Sequence, residues 1–267
     1  MTLSGLYVPL ITPFAPGGSV DLAALEQLAH DVLDAGATGL VALGTTGEPS
    51  SLTETERSSV LDVLTKVSAS LIVGGPTVPD SATAALTLVP PFVRPGEDGV
   101  VAYLTSVAAR SPVPLIVYHV PYRTAQPLSV DALHRIAAID GVAGIKLATG
   151  SIDADVIALM AAPPPHFAIL GGDDVVISPL LALGAHGAIL ASAHIETQSY
   201  ATLVGSWEPT LGHRLSRLSA ALFAEPNPAV IKAVLHAQCR IPTPDVRLPL
   251  LPASKESLVV ALETVSA

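Results

Sequence analysis

The sequence of 267 residues predicts a (β/α)8 TIM barrel followed by a C-terminal helical region. Eight short runs along the chain are continuously apolar, as parallel strands buried on both faces are. Amphipathic segments alternate with most of these runs, which is typical of parallel strands joined by helices. Half of the residues are apolar and only 13% are charged, so much of the chain must be buried. We predict that residues 1–208 form the barrel and residues 209–267 the helical region.

The helices are predicted from residues that share one face and from capping signals. Leu22, Leu25 and Val32 lie on one side of the first helix, and Thr53-Glu54-Thr55-Glu56 has the form of a capping box that begins the second. The strands are predicted near Tyr7–Ile11, Gly39–Leu43, Leu71–Gly74, Ala85–Val89, Leu115–Tyr118, Ala143–Lys146, Ala168–Leu170 and Gly187–Leu190. Later helices are predicted near Glu97–Ala109, Ser129–Ala138, Asp153–Ala161, Asp174–Leu183, Thr197–Val204, Leu211–Phe223, Ala229–Cys239 and Ala253–Val265.

The third βα unit departs from this pattern because it is too short. About ten residues, Pro76 and Pro79 among them, separate the third predicted strand from the fourth. A crossover between parallel strands normally takes a dozen or more residues and contains a helix. Either the third helix is nearly absent or residues are missing from the sequence, and in both cases the third unit is shortened.

Composition excludes several classes of partner and location. A net charge of −10 argues against nucleic acid or an anionic membrane as a partner. The single cysteine, Cys239, cannot form an internal disulfide, which fits the cytoplasm, and its helix-like run predicts a small buried residue. No basic segment followed by an apolar stretch opens the chain, so we predict no signal peptide. Residues 177–195 carry no Asp, Glu, Lys or Arg, but Pro179 and the glycines favour a buried helix, turn and strand over a membrane span.

Lys146 is the most informative residue, because it lies on a predicted strand within the apolar run Val142–Gly150. Burying an ammonium group is costly, so burial favours the neutral amine. A neutral amine is a nucleophile, and lysines in such settings form Schiff bases. The alternative is a lysine at the end of a strand whose ammonium group reaches water.

The turn at the end of the second strand suits an anion. In a barrel of this kind the active site lies at the carboxyl ends of the strands. Thr45, Thr46 and Gly47 follow the second strand, where backbone N–H groups and hydroxyls donate hydrogen bonds. Gly172 follows the seventh strand, and Asp173 next to it is interpreted as a helix cap. Taken alone, a Gly-Thr sequence of this kind is more often an ordinary turn.

Tyr118 ends the fifth predicted strand, and Arg123 lies in the segment that follows it. The phenol is suited to proton transfer in the barrel mouth, and the guanidinium to binding a carboxylate. Taken singly, the tyrosine is a packed aromatic residue and the arginine a solvated loop charge. With Lys146 and the Thr45–Gly47 turn, however, they provide what a 2-oxo acid needs for imine chemistry: a carboxylate site, a nucleophile and a proton donor.

Metal and cofactor chemistry is not indicated. His166, His186 and His213 are scattered along the chain, without the spacing of metal ligands. The sequence contains neither a phosphate-binding loop nor a dinucleotide fingerprint. We therefore expect no cofactor and no metal beyond a covalent imine between Lys146 and its substrate.

The order and spacing of the motifs make the chain resemble the dihydrodipicolinate synthase and N-acetylneuraminate lyase family of class I aldolases. The resemblance implies that Lys146 forms a Schiff base with pyruvate, and that Tyr118 and Thr45 relay protons. It also implies an oligomer, a dimer or a tetramer. By the same resemblance, the other residues that contact the substrates are Thr46, Gly47, Arg123 and Gly172. The motifs are Val8-Pro9-Leu10-Ile11-Thr12-Pro13-Phe14, Gly44-Thr45-Thr46-Gly47-Glu48, Tyr118-His119-Val120-Pro121, Gly144-Ile145-Lys146-Leu147-Ala148-Thr149-Gly150, Gly171-Gly172-Asp173-Asp174 and Glu225-Pro226-Asn227-Pro228.

Some residues depart from the synthase pattern. Phe92 stands in the segment where synthases carry a tyrosine that reaches the active site of a neighbouring subunit, and it has no hydroxyl. Leu147 follows the lysine where an acidic residue is common, and His119 and His194 stand in place of asparagines.

Three functions follow from these features. Arg123 and the Thr-Thr turn favour a 4-hydroxy-tetrahydrodipicolinate synthase, which condenses pyruvate with aspartate semialdehyde. Phe92 and Leu147 keep open another aldehyde, as in aldolases or dehydratases of 2-keto-3-deoxy sugar acids or N-acetylneuraminate. The third possibility is a non-catalytic barrel that binds a 2-oxo acid.

Overall fold

The computed structural model describes residues 3–265, and its central feature is a closed barrel of eight parallel strands. The strands follow one another around the barrel in chain order, and β1 pairs with β8 to close it. Each lies within two residues of its predicted position, so the predicted (β/α)8 fold is confirmed. The strands are β1 Gly5–Pro9, β2 Gly39–Ala42, β3 Leu71–Gly74, β4 Ala84–Leu88, β5 Leu115–His119, β6 Val142–Leu147, β7 Ala168–Gly171 and β8 Gly187–Ile189.

Helices surround the barrel and continue beyond it. The capping box predicted at Thr53 is present, with its hydroxyl accepting from the Glu56 N–H. The helix Ala229–Ala237 ends two residues before Cys239, which takes a left-handed conformation (φ 58°) on the surface, so its predicted burial is wrong. The helices are α1 Leu22–Asp34, α2 Glu54–Val67, α3 Gly96–Ala108, α4 Pro121–Thr124, α5 Val130–Ala137, α6 Ala154–Ala161, α7 Ile177–Ala182, α8 Thr197–Gly205, α9 Pro209–Leu222, α10 Ala229–Ala237 and α11 Lys255–Val265.

The C-terminal helices share the hydrophobic core of the barrel. Leu218 on α9 and Ile231 on α10 belong to the same buried cluster as Leu28 on α1. The division predicted at residue 208 falls between α8 and α9 and stays a prediction. The run from residue 177 to 195 holds α7 and β8, as expected, and no helix within residues 3–265 is long and apolar enough to span a membrane.

The third unit has no helix: residues 75–83 alone connect β3 to β4. These nine residues suffice because extended chain spans about 30 Å over that length, whereas a four-residue strand rises only about 13 Å. The predicted shortening is therefore confirmed, and the outer side of β4 is left partly uncovered. A groove of about 840 Å³ runs there, lined by Pro76, Val78, Ala85, Thr87, Tyr103 and Val107, and it extends as far as Thr45 and Tyr118.

Candidate active site

Lys146 and Tyr118 lie side by side at the carboxyl ends of neighbouring strands. They are register partners in the pairing of β6 with β5. The Lys146 amine lies 4.4 Å from the centre of the Tyr118 ring. Burial lowers the pKa of Lys146 to about 8, although the carboxylates of Asp174 and Asp173 oppose that shift. The amine is thus far more nucleophilic near neutral pH than a solvated lysine.

Gly172 leaves room for the reactive lysine. A Cβ atom added to Gly172 would lie only 2.7 Å from both Cγ and Cε of Lys146. Its backbone N–H donates to the carbonyl of Leu147 (2.8 Å), which fixes the turn after β7 against β6. Any larger residue here would displace the lysine side chain, so the glycine is required by packing around the amine.

A single 3-10 turn at Thr45–Gly47 follows β2 on the same side of the barrel. Thr45 is exposed, and Thr46 is buried. The Thr46 hydroxyl accepts a hydrogen bond from Nδ2 of Asn227 (2.9 Å). Its own hydrogen is therefore free to donate to an anion. The Gly47 carbonyl accepts from the Thr12 hydroxyl (2.7 Å), which holds the turn against the end of β1.

The Tyr118 phenol bridges the lysine and the threonine turn. Burial raises the pKa of Tyr118, whereas Arg123 and a hydrogen bond with the Thr45 hydroxyl lower it. The phenol is therefore neutral at physiological pH and has a hydroxyl neighbour with which to exchange a proton. Arg123 lies on α4 with its guanidinium 5.7 Å from the centre of the Tyr122 ring. Its exposed side chain borders the mouth of the cavity.

The two aspartates after β7 do not cap a helix, so that interpretation of Asp173 is wrong. Asp173 accepts from the Gly150 N–H (2.5 Å) and joins the loops that follow β6 and β7. Asp174 accepts from the Ser192 N–H (2.6 Å), and burial raises its pKa to about 6. The α7 helix begins three residues after Asp174 and has no side-chain cap. Both carboxylates instead supply negative charge near Lys146.

One cavity of about 410 Å³ collects nearly all of the predicted residues. Gly47 is the exception, because it is buried at the end of the turn and does not line the cavity. Sequence reasoning gave no role to Tyr122, Asp174 or Asn227, which also border the cavity. The signal for Asn227 was the Glu225-Pro226-Asn227-Pro228 motif. The predicted residues that line the cavity are Thr45, Thr46, Tyr118, Arg123, Lys146 and Gly172.

The histidines do not come together at one site. His186 accepts from the Ile169 N–H (3.1 Å), and His194 is buried, accepting from the Ile11 N–H at Nε2 (3.2 Å). Within residues 3–265 no group of three or more His, Cys, Asp or Glu side chains is arranged to hold a metal ion. The chemistry that the arrangement supports is that of the amine, the phenol and the hydroxyls.

A desolvated lysine amine in the mouth of a barrel is suited to forming an imine with a carbonyl substrate. The fold and the site together define a lyase of the class I aldolase type. A sequence model of the dihydrodipicolinate synthetase family matches residues 2–73 and 79–267. The chain therefore belongs to the dihydrodipicolinate synthetase family. The predicted family and enzyme class are confirmed, and the unmatched positions lie where β3 leads into the shortened crossover.

Individual relatives agree with this placement. The 4-hydroxy-tetrahydrodipicolinate synthase 2 of Clostridium acetobutylicum is 30% identical, covering 96% of this chain and 96% of that protein. The 4-hydroxy-tetrahydrodipicolinate synthase of Protochlamydia amoebophila is 32% identical, covering 96% of this chain and 93% of the relative. The crystal structure of a chloride-inhibited dihydrodipicolinate synthase from Acinetobacter baumannii, complexed with pyruvate, is similar with a TM-score of 0.89 and 31% identity over 99% of both chains.

Proposed function

We propose that this enzyme condenses pyruvate with aspartate semialdehyde, as a 4-hydroxy-tetrahydrodipicolinate synthase. The observation that carries the proposal is the placement of the buried Lys146 amine, 4.4 Å from the Tyr118 ring, in one cavity with the Thr45 and Thr46 hydroxyls. Relatives with this name cover nearly the whole chain, which supports the choice of substrates. The proposal needs no cofactor beyond the substrate bound to Lys146 as an imine.

The proposed first half-reaction joins the amine to the ketone. The lone pair of the Lys146 amine attacks C2 of pyruvate, and the carbinolamine loses water to give the imine. The pyruvate carboxylate accepts from the Thr46 hydroxyl and from backbone N–H groups of the Thr45–Gly47 turn. The Tyr118 phenol donates the proton that the departing hydroxyl needs. Thr45 relays a proton from solvent back to Tyr118, because this exposed residue borders the same cavity as the phenol.

In the proposed second half-reaction, the imine passes a proton from C3 to the relay of Tyr118 and Thr45 and becomes an enamine. Its C3 attacks the aldehyde carbon, and the alkoxide that forms takes a proton from the Tyr118 phenol. The amino group of the aldehyde substrate then attacks the imine carbon, which closes the ring and releases the Lys146 amine. Arg123 borders the cavity mouth, where it binds the carboxylate of the aldehyde. Phe92 is 89% exposed and has no hydroxyl, so within one subunit the relay consists of Tyr118 and Thr45.

Substitution of Arg123 tests the choice of aldehyde. Arg123→Leu is expected to raise the KM for aspartate semialdehyde about tenfold, because an exposed charge-assisted hydrogen bond contributes about 1.5 kcal/mol. Steady-state kinetics on a panel of aldehydes measure this, with Arg135→Leu on the outer helix α5 as the control. The KM for an aldehyde without a carboxylate should stay the same in both variants. Turnover of sugar-derived aldehydes alone would favour the sugar-acid aldolases, and the absence of any turnover would favour a binding protein.

We also propose that the enzyme is a homo-oligomer, because two apolar patches face solvent. Phe92 and Val93 are 89% and 70% exposed after β4. Ile157, Val175 and Trp207 are 45%, 42% and 45% exposed and border a second groove between α6, α7 and α9. Exposed apolar patches of this kind mark protein interfaces. Light scattering is expected to give the mass of a dimer or a tetramer, reduced by Phe92→Asp or Trp207→Asp, and a monomer at micromolar concentration contradicts the proposal.

The cytoplasm is the compartment that we propose for the enzyme. The single, exposed cysteine and the acidic net charge of −10 support it. Recovery of the protein in the membrane or secreted fraction of its cells would contradict it.

A further inference from the structure

A buried ion pair lies directly below the candidate carboxylate site. The ammonium of Lys232 on α10 is 2.5 Å from Oε1 of Glu48, and the two side chains are 0% and 2% exposed. The same ammonium donates to the carbonyl of Asp245 (2.8 Å) and lies 4.0 Å from the centre of the Phe14 ring. Neither side chain takes part in the proposed reaction.

Glu48 is the residue that ends the Thr45–Gly47 turn. It takes a left-handed conformation (φ 54°), and its N–H donates to the Thr45 carbonyl (3.2 Å). A non-glycine residue pays about 1–2 kcal/mol for this conformation, so surrounding contacts must hold it. Both carboxylate oxygens are occupied, Oε1 by Lys232 and Oε2 by the backbone N–H of Arg247 (2.8 Å).

The segment that carries Lys232 makes further contacts with the Thr45–Gly47 turn and with the residues that follow it. Asn227 donates to the Thr46 hydroxyl. The Arg247 guanidinium binds Glu56 at the start of α2 (2.6 Å) and the carbonyl of Ser51 (2.9 Å). Residues 227–247 thus contact the turn and the chain that follows it from several directions.

We propose that Lys232 is a positioning residue, which sets the geometry of the carboxylate-binding turn through Glu48. A buried ion pair is a weak source of stability, since replacing both members by uncharged residues is often neutral or stabilising. This pair joins α10 to Glu48, whose left-handed backbone ends the turn. Its main effect is therefore on where the Thr45 and Thr46 donors lie. The inference rests on the proposed function, because it assumes that the turn binds the carboxylate of a 2-oxo acid.

The test separates positioning from stability with a charge-neutral double variant. Lys232→Met alone leaves a buried, unpaired carboxylate and is expected to lower the melting temperature. Lys232→Met with Glu48→Gln removes both charges, so the melting temperature is expected to return close to that of the wild type. The concentration of pyruvate that gives half-maximal borohydride-trapped adduct should stay raised on the order of tenfold in the double variant, because small misplacements of binding groups carry large penalties.

Arg214→Met is the matched control. It removes a partly buried ion pair between Arg214 on α9 and Glu196 (2.6 Å), which does not touch the turn. This variant is expected to lose stability while its pyruvate dependence stays that of the wild type. The inference is overturned if the double variant recovers both stability and pyruvate dependence, or if Arg214→Met shifts the pyruvate dependence equally. Absence of any adduct in the wild type overturns the proposed function and this inference with it.

Discussion

Replacing Lys146 with alanine is expected to abolish the pyruvate adduct that borohydride traps on the wild-type enzyme. The amine of Lys146 is the nucleophile of the proposed imine, and it lies in the cavity with the two threonine hydroxyls. Turnover with the aldehyde should fall to background, because no other lysine within residues 3–265 lines this cavity. Intact-mass measurement after incubation with pyruvate and borohydride gives the result directly.

A surface lysine provides the control for this experiment. Lys66 on α2 is exposed, and Lys66→Ala should retain the full adduct. The wild-type adduct also reports the state of the amine. Because burial lowers the pKa of Lys146 to about 8, the rate of imine formation should rise with pH and level off above about pH 8. A rate that still climbed beyond pH 10, or an adduct that persisted in Lys146→Ala, would contradict the assignment.

Replacing Tyr118 with phenylalanine is expected to lower kcat by about 10²–10⁴-fold, the usual value of a general acid–base group. The substitution keeps the ring beside the Lys146 amine but removes the hydroxyl that pairs with Thr45. Protons must move in several steps of the proposed reaction, so the phenol is needed more than once per turnover. The KM for pyruvate should change little, because the carboxylate binds to the threonine turn.

Steady-state kinetics on Tyr118→Phe and Tyr103→Phe distinguish the loss of a catalytic hydroxyl from the effect of removing any tyrosine hydroxyl. Tyr103 lies on α3 and is 42% exposed, so its loss of a hydroxyl should leave kcat near that of the wild type. Circular dichroism and melting temperature confirm that both variants are folded. A Tyr118→Phe enzyme within threefold of the wild-type kcat would remove the phenol from the mechanism.

The parts of the site that lie at strand ends were predictable, because barrel topology brings those ends together. Lys146 and Tyr118 were found this way, and the structure makes them register partners. The missing helix was predictable as well, since residues between two strands can be counted. These features depend on local pattern and on the closure of the barrel.

Contacts between distant segments were not predictable in the same way. Lys232 lies in an amphipathic helical pattern, where a lysine is normally solvated, yet its side chain is 0% exposed. Its partner Glu48 is 184 positions earlier, and no periodicity links the two. Cys239 shows the reverse error, because its apolar neighbours suggested burial whereas Cys239 itself takes a left-handed conformation after α10 and lies on the surface. Each case depends on how two elements pack and not on the pattern within one.

The contacts of residues 227–247 with the threonine turn also have a consequence for the synthesis and folding of the enzyme. The ribosome synthesises the Thr45–Gly47 turn early and the residues that hold it much later. Arg247, for example, follows its partner Glu48 by 199 positions in the sequence. A nascent chain can therefore complete all eight strands, with Lys146 in place, before Lys232 and Arg247 have been added. Synthesis adds about 5–20 residues per second. Residues 227–247 are therefore added several seconds after the last barrel strand, so the threonine turn gains these contacts as one of the last events in the making of the molecule.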